Sequence, residues 1–415
     1  MQHVIVGAGP AGVIAAETLR KRSRDDSIII VGNESYPAYS RMAIPYLLAG
    51  DVEENGTYLR HNDNHFDRLG IEIRQNSVTS INPGEKTVGL AQGPDLSYDR
   101  LLLATGSSAI RPPISGMDSA RVHNCWTLDD AHRMLGDVQA GDRVVLLGAG
   151  FIGCIVLQAL VSMKLDLTVV ELADHMLARM MDHEGGQMIQ QWCEGKGVAV
   201  RTGSKAVAVT EQSNQLEIEL ADGSTIAADH IVCAAGVRPN IQMLEGSGIK
   251  VDAGILVDDQ LQTNVADIFA AGDVAQGPDR STGDLQVHAI QPTASEHGRA
   301  AAFQMSGDHS PYGGSLSMNV LNTLGLITSS FGLWDGVDGG DRTSVCDAAT
   351  NRYLRLEFQD DLLVGALAIG LTQHVGVLRG LIQTKVRLGH WKELLMSDPS
   401  LIMSAYLDRM QGTRT

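Results

Sequence analysis

The sequence predicts an α/β protein in which two parallel sheets are each covered by helices, followed by a further α/β segment at the C-terminus. An apolar strand, a glycine-rich turn and an apolar helix begin the chain, and the same pattern recurs after residue 142. With 415 residues, the chain is too long for a single hydrophobic core. From about residue 311 the pattern changes to alternating strands and then to helices.

The first glycine-rich turn lies in HVIVGAGPAGVIAAETLRKR, where Gly7, Gly9 and Gly12 form a G-x-G-x-x-G pattern. The first glycine allows a tight turn, the second lets the backbone approach a pyrophosphate, and the third lets helix and strand pack closely. The strand in DSIIIVGNES then ends at Glu34, where a carboxylate can bond both hydroxyls of a ribose. This order of features predicts a Rossmann-like dinucleotide-binding domain.

The same features recur in DRVVLLGAGFIGCIVLQAL, with Gly148, Gly150 and Gly153, and in LDLTVVEL, which ends at Glu171. Two dinucleotides in one enzyme indicate hydride transfer between a nicotinamide and a flavin. A carboxylate at Glu171 would attract free ribose hydroxyls and repel a 2′-phosphate. No arginine stands beside it, since the first to follow is Arg179. The sequence therefore favours NADH over NADPH.

Three further segments carry a family resemblance: YDRLLLATGSSAIRPP (98–113), HIVCAAGVRPN (230–240) and TNVADIFAAGDVA (263–275). Together with the glycine patterns, they resemble the flavoprotein pyridine-nucleotide oxidoreductases with two dinucleotide-binding domains. The resemblance is nearest to rubredoxin and ferredoxin reductases, NADH oxidases and the flavin part of assimilatory nitrite reductase. It implies a split FAD domain (1–112 and 240–310), an inserted NAD domain (113–239) and a C-terminal interface domain (311–415) that makes a homodimer in relatives.

The resemblance also assigns cofactor contacts. Asp273 matches a carboxylate that bonds the FAD ribityl chain, and Phe151 matches an aromatic that covers the flavin until nicotinamide displaces it. His288 is a candidate proton donor, although a loop histidine without that role is the plainer interpretation. The implied FAD contacts are Gly7, Gly9, Pro10, Ala11, Gly12, Glu34, Arg41, Thr105, Gly106, Asp273, Gln291, Pro292 and Thr293. The implied NAD contacts are Gly148, Gly150, Gly153, Glu171 and Gly236.

The stretch PAYSRMAIPYLLAG (37–50) bears on the redox chemistry. In disulfide reductases and water-forming NADH oxidases this region carries cysteine, and here Met42 falls on that position. A thioether cannot form a thiolate or a sulfenic acid, so we expect Met42 to be an apolar neighbour of the flavin ring. Carrier reductases commonly pair a lysine with a glutamate near the flavin. The matching positions are Tyr46 and Ile155, so both charges are missing together.

Arg41 is expected to bond the FAD phosphates or adenosine, with a simple surface charge as the alternative. The five cysteines are Cys125, Cys154, Cys193, Cys233 and Cys346. They form no C-x-x-C pair and show no metal-ligand spacing, which predicts buried reduced thiols and no metal site. Cys154, near the start of the second predicted helix, is the nearest candidate to replace the missing thiol.

The composition narrows the function classes. A net charge of -17 disfavours nucleic acid and anionic membranes as partners. The sequence contains no apolar run of about 20 residues, so no membrane span is predicted. The chain enters its first strand directly, so no cleavable signal is predicted. The sequence therefore predicts a cytoplasmic protein.

Taken together, the sequence predicts an FAD-dependent NADH:acceptor oxidoreductase. Because no iron–sulfur or haem ligand set is present, the acceptor is external: an electron-carrier protein, a quinone, or O2 reduced to H2O2. For the same reason the chain could be only the flavin module of a nitrite reductase. The alternative from another class is an NADH-responsive flavoprotein sensor.

Overall fold

A computed structural model describes residues 1–308 and 311–412. These residues form two compact units, each made of two chain segments: residues 1–108 with 237–315, and residues 109–236 with 316–415. The division into an FAD domain of residues 1–112 and 240–310 stays a prediction. The second unit contains both the predicted NAD domain and the C-terminal segment, and their separation into two domains stays a prediction.

A five-stranded parallel sheet forms the centre of the first unit. Its strands, in spatial order, are Ile268–Ala270, Arg100–Leu103, Gln2–Val6, Ser27–Gly32 and Ile71–Gln75. The strands Gln2–Val6 and Ser27–Gly32 are rich in valine and isoleucine and are buried on both faces, as expected for a parallel sheet covered by helices. The carboxyl ends of the strands carry the first glycine turn and Glu34 to one edge of the sheet.

Helices and small antiparallel sheets complete the first unit. Helices Pro10–Arg22 and Gln291–Met305 pack backbone to backbone, since a methyl group at Gly298 would lie 2.2 Å from the carbonyl oxygen of Ala11. The other helices are Ile44–Ala49 and His65–Arg68, with 3-10 turns at Arg41–Ala43, Glu54–Thr57, Gln242–Leu244 and Gly272–Val274. The two small sheets are built from Val78–Asn82, Thr87–Leu90 and Leu96–Ser97, and from Ile255–Leu256, Ala275–Pro278 and Leu285–Gln286.

The second unit repeats the parallel arrangement. Its five strands, in spatial order, are Ala199–Arg201, Asp166–Val170, Arg143–Leu147, His230–Cys233 and Val122–Asn124. Its helices are Leu128–Asp137, Phe151–Ser162 and His183–Gly195, and an antiparallel sheet comprises Ala206–Gln212, Gln215–Leu220 and Thr225–Ala228. A reciprocal capping box between Thr127 and Asp130 begins the first of these helices. Short strands Ser107–Ala109 and Val237–Pro239 occupy the two chain crossings.

The C-terminal segment is a five-stranded antiparallel sheet with helices. The strand order is Met318–Thr323, Leu326–Gly332, Leu362–Ile369, Arg352–Gln359 and Asp341–Asp347. Helices Val375–Thr384, Trp391–Ser397 and Ile402–Gly412 and the 3-10 turns Thr372–His374 and Pro399–Leu401 follow. Within this unit, strand Met318–Thr323 contacts helix Phe151–Ser162. No helix among the described residues has the length and apolar character to cross a bilayer.

Two buried histidines in the second unit predict acid sensitivity. Nε2 of His123 lies 3.1 Å from Nδ1 of His230, and His123 is only 1% exposed. Burial, reinforced by His230, lowers the pKa of His123 to about 4. An unfolded histidine titrates near about 6.5, so below that pH the unfolded chain binds the proton first and stability falls.

We expect the free energy of unfolding to fall between pH 7 and pH 5, with about 2 kcal/mol of the loss due to His123. In denaturant titrations at pH 7 and pH 5, the free energy of unfolding of the His123→Asn variant should fall by about 2 kcal/mol less than that of the parent protein. The exposed His61→Asn variant is the control, and its loss should equal that of the parent protein. Equal losses in His123→Asn and the parent protein would contradict the prediction.

Candidate functional site

The first glycine turn forms an open cradle in the first unit. Gly7 has φ +117°, and a methyl group there would lie 2.1 Å from the carbonyl oxygen of Ala104. At Gly12 a methyl group would lie 2.0 Å from the carbonyl oxygen of Gly7. At Gly9, by contrast, a methyl group would meet no atom within 4 Å, so the space beside its Cα is open. The turn leads into the helix that begins at Pro10, whose first-turn amides suit a diphosphate.

Glu34 follows the next strand, with its carboxylate fixed by two neighbours. The Tyr39 hydroxyl donates to one oxygen, and Nη2 of Arg41 donates to the other at 2.8 Å. Arg41 therefore neutralises the acid that is predicted to bind ribose. Both side chains remain partly exposed, which leaves them available to a nucleotide.

Asp273 lies in the 3-10 turn Gly272–Val274, where its Oδ2 accepts a 2.8 Å hydrogen bond from Ser107 Oγ. Burial raises the pKa of Asp273 above its ordinary value, although the Ser107 bond and the charge of Arg41 oppose the shift. The charge of Arg41 therefore acts on Asp273, although the two residues are far apart in sequence.

Two further predicted contacts, Thr105 and Gly106, follow strand Arg100–Leu103. Thr105 Oγ1 donates to the Asn240 carbonyl and Asn240 Nδ2 donates to the Thr105 carbonyl, each at 2.8 Å. Gly106 has φ +65°, a conformation that favours glycine. The two hydrogen bonds between Thr105 and Asn240 fix the turn after strand Arg100–Leu103, which lies next to the glycine turn.

Helix Gln291–Met305 begins without a side-chain cap on its first amides, and Pro292 stands in its first turn. Gln291 accepts a hydrogen bond from Ser40, and Thr293 is buried. Uncapped amides at the start of a long helix carry a positive dipole end that stabilises an anionic group by about 0.3–1 kcal/mol. This helix start therefore suits the electron-rich edge of a reduced flavin.

The stretch that carries Met42 holds no thiol. Met42 lies in the 3-10 turn Arg41–Ala43 with 40% of its surface exposed, and Tyr46 is 56% exposed. Moreover, the whole first unit, residues 1–108 and 237–315, contains no cysteine. The first unit therefore offers no cysteine for a thiol step.

The second glycine turn has the same geometry as the first. Gly148 has φ +104°, and a methyl group there would lie 2.5 Å from the carbonyl oxygen of Ala234. A methyl group at Gly153 would lie 2.1 Å from the carbonyl oxygen of Gly148, whereas at Gly150 it would meet no atom within 4 Å. Phe151 is the first residue of the following helix and is half-buried. Gly236, with φ +111°, ends the segment at the chain crossing.

Glu171 presents a backbone-bound carboxylate beside this second turn. One oxygen accepts from the Ala149 amide at 2.5 Å and the other from the Ala173 amide at 2.8 Å. The next residue, Leu172, is 67% exposed, and Arg179 is also exposed. Two backbone amides orient the acid, and among the described residues no arginine or lysine pairs with it, which suits ribose hydroxyls better than a phosphate.

The cysteines are not placed for redox chemistry. Cys154 is fully buried, and its Sγ–H donates to the Ala149 carbonyl at 3.4 Å. Burial raises the pKa of its thiol well above the ordinary value, so the reactive thiolate is disfavoured. Cys125, Cys193 and Cys233 are buried as expected. The expectation of burial is wrong for Cys346, which is exposed because it lies in the edge strand Asp341–Asp347.

His288 has protein partners at both ring nitrogens. Nδ1 lies 2.6 Å from Ser315 Oγ, and Nε2 lies 3.0 Å from Asp279 Oδ2. A proton-donor role would require one of these bonds to break, and that role stays a prediction. Within the described ranges, no three His, Cys, Asp or Glu side chains group together as a metal site requires.

Three residues of the site were not found from the sequence. Ser107 holds Asp273, and Asn240 holds Thr105. His297 is buried beneath the Gly272–Val274 turn, where its Nδ1 accepts from the Gly272 amide at 3.3 Å. Burial, with a smaller effect from His288, lowers the pKa of His297 to about 4, so the ring is neutral at pH 7. Ser107 and Asn240 lie in the segments 98–113 and 230–240 that carry the family resemblance, which was a usable signal for both.

Comparison with known proteins gives a consistent result. Residues 1–293 match the family model described as pyridine nucleotide-disulphide oxidoreductase. The NADH-dependent phenylglyoxylate dehydrogenase subunit epsilon of Aromatoleum evansii is 30% identical over 402 residues, which are 96% of this chain and 95% of that protein.

Two other similar proteins are carrier reductases by name. The ferredoxin–NAD(+) reductase component of the 3-phenylpropionate/cinnamic acid dioxygenase of Photorhabdus laumondii is 30% identical over 91% of this chain and 95% of that protein. Among solved structures, that of the covalent putidaredoxin reductase–putidaredoxin complex matches with a TM-score of 0.89 over 98% of both chains. Its sequence identity is 24%, so this likeness concerns the fold.

Proposed function

The chain belongs to the pyridine nucleotide-disulphide oxidoreductase family, and we propose that it is an FAD-dependent NADH:acceptor oxidoreductase that works without a thiol. The observation that carries this proposal is the pair of open glycine cradles, each with its own acid, together with a first unit that lacks cysteine. When bound, FAD supplies the hydride acceptor and the store of electrons.

The residues of the chain bind and orient the two dinucleotides. The cradle at Gly9 receives the FAD diphosphate, Glu34 and Arg41 receive its adenosine part, and Asp273 bonds the ribityl chain. The cradle at Gly150 and the carboxylate of Glu171 receive NADH, and Phe151 yields its place to the nicotinamide. Because no side chain acts as a nucleophile, positioning of the two rings supplies most of the acceleration.

We infer that the acceptor is an electron-carrier protein rather than a quinone. The two full-length relatives named above are, by name, a subunit of a dehydrogenase and a reductase component of a dioxygenase, and both names imply a partner protein. The net charge of -17 disfavours an acidic carrier unless a local basic patch on this protein receives it. The alternative of a flavoprotein sensor has no support among these relatives. A homodimer and a cytoplasmic location remain part of the proposal.

One experiment tests the acceptor assignment. The NADH-reduced protein is mixed anaerobically with ferredoxins, rubredoxin or quinones, and separately with air, and flavin reoxidation is followed in a stopped-flow instrument. We expect at least one iron–sulfur carrier to reoxidise the flavin faster than O2 or the quinones do, in a salt-dependent manner. Faster reoxidation by a quinone than by every carrier would contradict the assignment.

Reoxidation by O2 should release hydrogen peroxide and no water. Met42 stands where a peroxidatic thiol would be needed, and its thioether cannot form the sulfenic acid through which such a thiol reduces peroxide. NADH consumption and peroxide formation should therefore match one to one in a coupled peroxidase assay. A mock incubation without NADH should show that added peroxide is stable. If so, a yield of about half a peroxide or less per NADH consumed would count against the proposal.

A further inference from the structure

A buried ionic network joins the C-terminal sheet to the helix that follows Glu171, within the second unit. Asp182 caps helix His183–Gly195, with Oδ1 accepting from the Gly185 amide at 2.9 Å. Its Oδ2 accepts from the Tyr353 hydroxyl and from Nη1 of Arg355, the latter at 2.7 Å. Tyr353 and Arg355 both belong to the strand Arg352–Gln359 of the C-terminal sheet.

Two further charged residues extend the network. Nε of Arg355 donates to Oε1 of Glu357, and Nε of Arg342 donates to the same oxygen at 2.6 Å. Arg355 and Glu357 are buried. Burial alone would raise the pKa of Asp182, but hydrogen bonds from Tyr353, the Gly185 amide and Arg355 hold it below its ordinary value. Asp182 is therefore an anion held between two segments that are distant in sequence.

Residues 172–181 connect Asp182 to Glu171 and touch the second glycine turn. The Leu177 amide donates to the carbonyl of Ala149 at 2.9 Å, and the Ala149 amide in turn donates to Glu171. Nε2 of His175 lies 3.1 Å from the carbonyl oxygen of Met181, the residue before Asp182. The path of this loop is thus fixed near its middle by the glycine turn, through Leu177, and at its C-terminal end by Asp182.

We propose that Arg355, acting through Asp182, is a positioning residue for nicotinamide dinucleotide binding, an inference that rests on the proposed function. By holding the far end of the loop, it keeps the Ala149 backbone and the Glu171 carboxylate in the geometry that receives the ribose. A site ordered in advance loses less free energy on binding its ligand. The C-terminal sheet therefore contributes to NADH affinity from outside the site.

The Arg355→Leu variant tests this role. We expect the NADH concentration for half-maximal flavin reduction, and the dissociation constant for NAD+ measured by calorimetry, each to rise about tenfold. The limiting rate of flavin reduction should stay within about twofold, because Arg355 touches no reacting atom. The split between affinity and limiting rate distinguishes positioning from a general loss of structure.

A matched control is available in the same unit. Arg143 donates to Asp229 at 2.9 Å at the start of strand Arg143–Leu147, the end opposite the glycine turn. Arg143→Leu also breaks an arginine–aspartate pair, yet both binding constants should remain unchanged. The milder Tyr353→Phe variant, which removes one hydrogen bond to Asp182, should weaken NAD+ binding about threefold and serves if Arg355→Leu does not fold.

Unchanged NAD+ affinity in a folded Arg355→Leu variant, or in Tyr353→Phe if Arg355→Leu does not fold, would overturn the inference, and so would an equal loss in Arg143→Leu. Arg355→Lys keeps a cation for Asp182 but cannot serve Asp182 and Glu357 with two arms, so it should restore part of the affinity that Arg355→Leu loses. Failure of the proposed function gives a different result: NADH would not reduce the flavin of the parent protein at all.

Discussion

Replacing Gly9 by alanine is expected to yield a folded but colourless protein. Gly9 has φ -78° and ψ -175°, which alanine adopts without strain, and the added methyl group meets no protein atom within 4 Å. It does fill the space through which the FAD diphosphate approaches the backbone. We expect FAD affinity to fall about 100-fold, equivalent to about 2.7 kcal/mol. Flavin absorbance per protein and the melting temperature of the apoprotein measure the two effects separately.

Two companion variants control this prediction. Gly150→Ala, which is equally free of contacts, should remain yellow but require about 100-fold more NADH for half-maximal reduction. Gly12→Ala should fail to fold, because its methyl group would lie 2.0 Å from the Gly7 carbonyl oxygen. Stoichiometric flavin in purified Gly9→Ala would show that the first cradle does not hold FAD.

The second large effect concerns the choice between NADH and NADPH. We expect Glu171→Ala to lower kcat/KM for NADH about 30-fold, equivalent to about 2 kcal/mol, because the ribose hydroxyls lose a charged acceptor. Adding Leu172→Arg places a cation on the exposed neighbour of Glu171, where it can pair with a 2′-phosphate. The double variant should therefore use NADPH more efficiently than NADH. Steady-state rates with both coenzymes and one carrier provide the measurement.

The Glu219→Ala variant is the control for loss of an acid in the same unit, since Glu219 is exposed on strand Gln215–Leu220. Its preference for NADH should equal that of the parent protein. If Glu171→Ala keeps the full preference for NADH, the carboxylate is not the group that reads the ribose.

The sequence located the parts of the site that depend on local geometry. Gly7, Gly12 and Gly148 were predicted correctly as positions where no side chain fits, because turn geometry and helix–strand packing act over a few residues. Arg41 was assigned to FAD, but nothing in the spacing announced its ion pair with Glu34.

Contacts between distant segments could not be predicted. The bond from Ser107 to Asp273 and the network of Asp182 with Arg355 join residues that only the tertiary fold brings together. Cys346 was misjudged because cysteine is usually buried, whereas its exposure depends on the strand order of the C-terminal sheet. Periodicity predicts a strand but not whether that strand lies at an edge.

The central claim is that this protein takes electrons from NADH with a flavin and no redox-active sulfur. An anaerobic titration of the air-oxidised yellow protein with NADH, followed through the flavin absorbance and the NADH absorbance together, tests it directly. We expect one NADH per FAD to reduce the flavin completely, and alkylation of accessible thiols to leave this stoichiometry unchanged. A disulfide or sulfenic acid beside the flavin would instead consume a second equivalent of NADH before free NADH accumulates. If alkylation abolished the uptake of that second equivalent, the proposal would be contradicted.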